Sequence, residues 1–88
     1  MNCSFFIYII QSEYDGSYYI GHTSDIQKRI TVHNSGTTRY TSKKMPWKLV
    51  YSEMFNSKSD AIKRESFLKK QRNINFYNKL IRTGSSAG

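Results

Sequence analysis

The stretch YYIGHT, residues 18–23, follows an Asp15-Gly16 turn signal, and the apolar run FFIYIIQ occupies residues 5–11 before that turn. Both alternating sets of side chains in the earlier run are apolar, a pattern typical of a central strand covered on both faces. An Asp-Gly pair between two such runs favours an antiparallel hairpin. Because successive strand residues point to opposite faces, we expect Tyr18 and Tyr19 to lie on different faces of one sheet.

The rest of the chain predicts one more strand and three helices. A first helix is expected over residues 24–34, followed by a long basic loop over residues 35–46, which lack apolar periodicity. Residues 47–55 are interpreted as a third strand, and residues 60–72 and 73–82 as two further helices. The order β-β-α-β-α-α predicts an α+β domain built on a small antiparallel sheet.

The ends of these elements have signals of their own. Ser24 is the expected N-cap of the first helix, and Ser57 or Ser59 that of the second. After its threonine, the segment 83–88 contains only Gly, Ser and Ala, so it is expected to be a disordered tail. The sequence therefore predicts a single domain over residues 1–82.

The composition of the 88-residue chain indicates a small basic domain. Fourteen Lys and Arg residues stand against six acidic residues, for a net charge of +8. This excess favours a polyanionic partner such as nucleic acid, although it also serves simple solubility. The single Cys3 excludes an internal disulfide and fits a reducing compartment. No run of about 18 apolar residues is present, so no transmembrane span is expected and a cytoplasmic location is predicted.

Three polar residues of the predicted helices stand close to apolar stripes. Arg29 and His33 are four residues apart and therefore share one helix face. They could belong to a site, or they could be only a solvated arginine and an incidental histidine. Glu65 projects with the core-facing residues of its helix, where acids are rarely buried unless they are paired or hold a cation. A salt bridge to Arg29 or Arg64 and coordination of Mg²⁺ are both open for Glu65.

Two tyrosines of the hairpin, Tyr8 and Tyr19, lie on neighbouring predicted strands. Such tyrosines are usually core residues whose hydroxyl finds one partner. Together with the arginine, histidine and glutamate they could form a compact polar site. Other chemistries lack support, because the sequence has no Walker-type glycine loop, no Cys/His zinc spacing and no G-x-S-x-G elbow.

These residues carry a family resemblance. FIY at residues 6–8 and YIG at residues 19–21 resemble the two half-motifs that name the GIY-YIG endonucleases, with phenylalanine in place of the first glycine. Arg29 lies ten residues after the second tyrosine and His33 four residues further, which matches the spacing of the family's arginine and histidine. Glu65 resembles its metal-binding glutamate.

The resemblance covers residues 5–72 and is strongest to the small stand-alone branch of the GIY-YIG superfamily that is related to the N-terminal domain of excinuclease C. It implies a three-stranded antiparallel sheet flanked by helices, and metal-dependent hydrolysis of phosphodiester bonds in DNA, in a branched or damaged structure during repair or recombination. Many members also have a late asparagine near the active site, for which Asn73, Asn75 and Asn78 are the candidates.

The resemblance also implies a role for each site residue. Tyr8 would be the general base or orient the attacking water, and Tyr19 would orient the nucleophile or bind the scissile phosphate. Arg29 would stabilise charge on the phosphate, and His33 would relay a proton or contact the phosphate. Glu65 would hold one divalent cation, Mg²⁺ or Mn²⁺. A tyrosine base needs its pKa of about 10 lowered by nearby positive charge, which Arg29 and the cation could supply, or it must act through a metal-bound hydroxide.

Within the opening stretch, Tyr18 is expected to pack in the core and Tyr19 to border the site with Tyr8. Gly21 is expected to leave room for substrate to approach the backbone, whereas His22 is a weak candidate for any role.

The basic loop is expected to contact nucleic acid. Arg39, Lys43 and Lys44 would bind the phosphate backbone, and Tyr40 or Trp47 would stack on an unpaired base. The alternative is a mobile solvated connection. For the whole chain, two alternatives to a nuclease stay open: a binding module of the same fold without useful turnover, and a structural or protein-binding domain. A homodimer or a protein partner is compatible with the small size.

Overall fold

The structure, a computed structural model, describes residues 4–84, the side chain of Tyr40 excepted. Its sheet has three strands, β1 (Phe5–Ser12), β2 (Tyr18–Thr23) and β3 (Trp47–Phe55), in the order β2-β1-β3. Both strand pairs are antiparallel. The central strand is β1, as its two apolar sets predict, and its residues 7–10 are buried.

Four helices accompany the sheet: α1 (Ile26–Asn34), α2 (Arg39–Ser42), α3 (Lys58–Gln71) and α4 (Ile74–Gly84). The predicted α+β class and the order of its long elements are confirmed. One turn of helix, α2, interrupts the segment that was expected to be all loop, because four residues are too few to show an apolar period. None of the helices in residues 4–84 is long and apolar enough to cross a membrane.

The helix ends correct two predictions and confirm a third. Asp25, not Ser24, is the N-cap of α1, since its carboxylate accepts the backbone N–H of Lys28 at 3.1 Å. Ser57 caps α3 as one of the two expected serines, accepting from the backbone N–H of Asp60 at 3.2 Å. Helix α4 continues through residues 83 and 84, so a disordered tail cannot begin at Thr83. Residues 1–3 and 85–88 lie outside the described range.

Local backbone features mark the end of the long helix α3 and the start of α4. Its last turn is followed by Arg72 in the left-handed region, with φ 46°. The side chain of Asn73 then accepts the backbone N–H of Asn75 at 2.9 Å, which starts α4. The predicted break near Asn73 is confirmed.

The two faces of β1 are covered by different elements. Ile7 and Ile9 pack with Ala61, Leu68 and Tyr77 of α3 and α4. The opposite face carries a second cluster made of Tyr8, Ile10, Trp47, Tyr19 and Ile30. Strand alternation thus separates an all-apolar core from a mixed face that α1 covers.

Candidate active site

Tyr8 is the centre of the mixed face. It is 1% exposed, and its hydroxyl lies 3.0 Å from Nε2 of His33. Gly21 is its direct partner on β2, and a Cβ atom there would lie 2.5 Å from the Tyr8 hydroxyl oxygen. The room that this glycine leaves is therefore filled by Tyr8, which corrects the expectation that substrate approaches the backbone at this point.

His33 continues the hydrogen-bonded chain away from Tyr8. It is 2% exposed, and its Nδ1 lies 3.1 Å from Oγ1 of the fully buried Thr41. Burial, and next the positive charge of Arg29, lower the pKa of His33 below its usual value. The imidazole is therefore neutral at pH 7, with one ring nitrogen that donates and one that accepts. Sequence reasoning missed Thr41, because it lies in the short helix α2, where no periodicity marks it.

Tyr19 forms an aromatic wall beside these groups. Its ring centroid lies 5.0 Å from that of His33 and 6.5 Å from that of Tyr8. On its other side it meets Trp47, with 6.2 Å between centroids. Tyr8, Tyr19 and His33 thus lie together, although up to 25 positions separate them along the chain.

Arg29 is on the exposed surface of α1, and its positive charge acts on Tyr8 and on His33. Burial raises the pKa of Tyr8 to about 12, although a hydrogen bond with Arg29 works in the opposite direction. Arg29 does act to lower this pKa, as expected, but removal of the hydroxyl from water outweighs its effect, so the pKa is raised. Tyr8 is a neutral phenol at pH 7.

Glu65 projects from α3 with 13% of its side chain exposed, and its charge acts on Tyr8 from the other side of β2. Its Oε1 accepts a hydrogen bond from Nδ1 of His22, and its Oε2 lies 2.7 Å from the ammonium of Lys69. The sequence offered Arg29 or Arg64 as the ion-pair partner of Glu65, not His22 or Lys69. Arg64 instead forms an ion pair with Glu53 at 2.9 Å. The missed signal for His22 is strand alternation, which places it with Tyr18 on the face that α3 covers.

The charge state of Glu65 suits a cation. Burial opposes ionisation of the carboxyl, but hydrogen bonds from Lys69 and His22 outweigh it and leave the pKa of Glu65 below its usual value. Each oxygen of a carboxylate has two acceptor positions, so one at each remains beyond these bonds. Within residues 4–84, no three His, Cys, Asp or Glu side chains gather into a metal-binding group. A single carboxylate is enough for Mg²⁺, whose remaining ligands can be water and substrate phosphate. It is too few for a metal whose ligands all come from the protein.

The residues predicted to bind nucleic acid separate into different environments. Arg39 and Lys43 are exposed on the surface around α2. Lys44 bonds Asp15 at 3.2 Å and is partly buried. Trp47 is 3% exposed and its ring N–H donates to the carbonyl of Thr41 at 2.9 Å, so it is a core residue and cannot stack on a base. The side chain of Tyr40 lies outside the described part of the chain.

The three candidate asparagines stand apart from Tyr8. Asn78 accepts the hydroxyl of Tyr18 at 2.6 Å on the opposite side of the sheet, and Asn73 starts α4. Asn75 is exposed on α4. The structure therefore brings none of them to the Tyr8–His33 chain.

A three-stranded sheet that gathers two tyrosines, an arginine, a histidine and a helix glutamate defines the class of this protein. The family model described as the GIY-YIG catalytic domain matches residues 4–78, and the chain belongs to this family. It is therefore a member of a family of nucleases, whose substrates are nucleic acids.

Relatives and one solved structure agree with this placement. The chain is 49% identical over 65 residues to a UPF0213 protein of Staphylococcus saprophyticus, covering 73% of this chain and 78% of that protein. It is 41% identical over 68 residues to a UPF0213 protein of Streptococcus pneumoniae, covering 76% and 68% respectively. The solution NMR structure of a UPF0213 protein from Bacillus halodurans superposes with a TM-score of 0.58 and 31% identity, covering 93% of this chain and 86% of that one.

Proposed function

We propose that this protein is a divalent-metal-dependent endonuclease that hydrolyses phosphodiester bonds in DNA. The observation that carries the proposal is the buried hydrogen-bonded chain from the Tyr8 hydroxyl to His33 at 3.0 Å and on to Thr41 at 3.1 Å. A core tyrosine needs one partner for its hydroxyl, whereas a chain of three side chains can also move a proton.

The chain explains how a tyrosine of raised pKa can serve as a base. With Nδ1 of His33 donating to Thr41, its Nε2 is free of a proton and can accept one. As an attacking water gives its proton to the Tyr8 oxygen, Tyr8 passes its own proton to His33. Tyrosinate does not accumulate, so the pKa of about 12 is compatible with activity at neutral pH.

Two charged groups complete the proposed mechanism. Arg29, whose charge acts on Tyr8, would neutralise charge that develops on the phosphate oxygens. Glu65 would hold one Mg²⁺ or Mn²⁺, which supplies Lewis-acid stabilisation of the reacting phosphate when bound. Tyr19 would restrict the approach of the phosphate by its packing against His33.

The proposed substrate is DNA that is branched or damaged, in repair or recombination, and the proposed location is the cytoplasm. Support for a DNA partner comes from the net charge of +8 and from the exposed Arg39 and Lys43 around α2. A homodimer or a protein partner would extend this small binding surface.

The test compares the wild-type protein with Glu65→Gln in nicking of supercoiled and branched DNA with Mg²⁺ or Mn²⁺. We expect Glu65→Gln to lose cleavage by about a hundredfold or more while DNA binding persists, since the amide keeps the shape but not the charge. Glu13→Gln changes an exposed hairpin glutamate and is the matched control. If the wild type binds DNA but cleaves no faster than Glu65→Gln, the protein is a binding module and not an enzyme.

A further inference from the structure

A groove of about 320 Å³ runs along the outer edge of β2, beside the candidate active site. Its lining residues come from β2, α3 and α4: Tyr18, Tyr19, Ile20, Lys69 and Tyr77. Tyr18, Ile20 and Tyr77 pack together on the face of the sheet that α3 and α4 cover, whereas the ring of Tyr19 packs with Tyr8 and Trp47 on the opposite face. The rings of Tyr18 and Tyr77 and the ammonium group of Lys69 thus border a volume at the lower end of the range for small-molecule sites.

The walls of the groove are held in place by their own hydrogen bonds. The Tyr18 hydroxyl donates to Asn78 at 2.6 Å, and the Tyr77 hydroxyl donates to the carbonyl of Leu68 at 2.7 Å. The rings of these two tyrosines meet edge to face, with 5.6 Å between centroids. Since both hydroxyls are engaged by the protein, what these residues offer a ligand is ring surface, mainly that of the partly exposed Tyr18, because Tyr77 is 9% exposed.

Two of the lining residues also belong to the candidate active site. Lys69 bonds Glu65 at 2.7 Å, and Tyr19 packs its ring 5.0 Å from His33. A ligand part in the groove would therefore lie beside the Glu65 carboxylate, whereas the Tyr8–His33 relay lies on the other face of the sheet. An anionic group attached to that ligand would be attracted by Lys69.

We propose that this groove is a subsite for one unpaired nucleobase of the DNA strand that is cut. The inference rests on the proposed nuclease function and adds its substrate class: DNA with an unpaired nucleotide next to the scissile phosphate. Aromatic rings stack on any base through its π-face, so the subsite selects for an unpaired base and not for a sequence. A base within a continuous duplex stays stacked between its neighbours and cannot enter the groove without being extruded.

The experiment measures binding in EDTA, where no cleavage takes place. Three probes are compared: a fully paired duplex, the same duplex with one bulged adenine, and the same duplex with an abasic residue in the bulge. We expect the adenine bulge to bind about tenfold tighter than the abasic bulge, the effect of stacking one base on aromatic side chains. A bulged 2-aminopurine in the same position should lose fluorescence on binding.

Variants locate the effect in the groove. Tyr18→Ala removes one wall and should abolish the preference for adenine over the abasic bulge, whereas Tyr18→Phe keeps the ring and should retain it. Tyr14→Ala, at a tyrosine that is 75% exposed in the hairpin turn, is the matched control. The comparison of the two bulges in the wild type needs no variant, so equal binding of the two would overturn the subsite even if Tyr18→Ala fails to fold.

The outcomes separate this inference from the proposed function. Equal binding of the adenine and abasic bulges, or a preference that survives Tyr18→Ala, would overturn the subsite whether or not the protein cleaves DNA. A preference that depends on Tyr18 in a protein without nuclease activity would support the subsite and overturn only the enzyme assignment.

Discussion

Replacing Gly21 by alanine tests whether this glycine exists to admit the Tyr8 ring. The added Cβ would lie 2.5 Å from the Tyr8 hydroxyl oxygen and 2.8 Å from Cζ, where ordinary contact begins at 3.4 Å. Moving the oxygen from 2.5 to 3.4 Å is a displacement of about 0.9 Å. Tyr8 is 1% exposed and bonded to His33 at 3.0 Å, so it cannot turn into solvent to make room.

Two effects should follow from this displacement. Overpacking of this kind destabilises a core by about 1–3 kcal/mol, and Gly21 has no positive φ that would add backbone strain. A shift of nearly 1 Å in a group that handles a proton should also lower the cleavage rate by about a hundredfold. Urea unfolding measures the first effect, and nicking of supercoiled DNA measures the second.

A double-mutant cycle isolates the contact. Tyr8→Leu removes all three tyrosine atoms that the new Cβ would meet, so Gly21→Ala should destabilise the Tyr8→Leu background far less than the wild type. If alanine at position 21 is equally destabilising in both backgrounds, or leaves wild-type stability and cleavage unchanged, the steric explanation is wrong.

Two further predictions concern the relay and the loop. The pKa of His33 is lowered from 6.5, and only the neutral imidazole can accept the Tyr8 proton. The cleavage rate should therefore be constant above pH 7 and fall as acid protonates His33. A cleavage rate that rises toward pH 5 would contradict the relay. Trp47→Phe should lower the midpoint of urea unfolding and leave the salt dependence of DNA binding unchanged, because Trp47 is a core residue. Lys43→Ala should instead reduce that salt dependence by about one counterion. If Trp47 stacked on a base, Trp47→Phe would weaken DNA binding without destabilising the fold.

Local periodicity was sufficient for the elements but not for their caps and short turns. The apolar sets of β1 and the serine at 57 are properties of a few neighbouring residues, and both predictions were confirmed. Asp25 and Ser24 are adjacent candidates for the N-cap of α1. Asp25 is the N-cap because its carboxylate accepts the backbone N–H of Lys28. The α2 turn is too short for any periodic signal.

The candidate site was predictable where spacing alone sets position. Tyr8 and Tyr19 follow from hairpin register, and His33 follows from its distance along α1, so the three rings meet as the pattern predicts. Thr41 and His22 were missed because their partners, His33 and Glu65, come from other elements.

The sequence by itself determined the strands, the long helices, the basic charge and the spacing of the family residues, because each depends on composition or on neighbours within one element. Only the tertiary structure decided the environments. It buried Trp47, filled the space at Gly21 with Tyr8, paired Glu65 with His22 and Lys69, and formed a groove from Tyr18, Tyr19 and Tyr77. These contacts join elements that are distant along the chain, and burial then raised the pKa of Tyr8 and lowered that of His33.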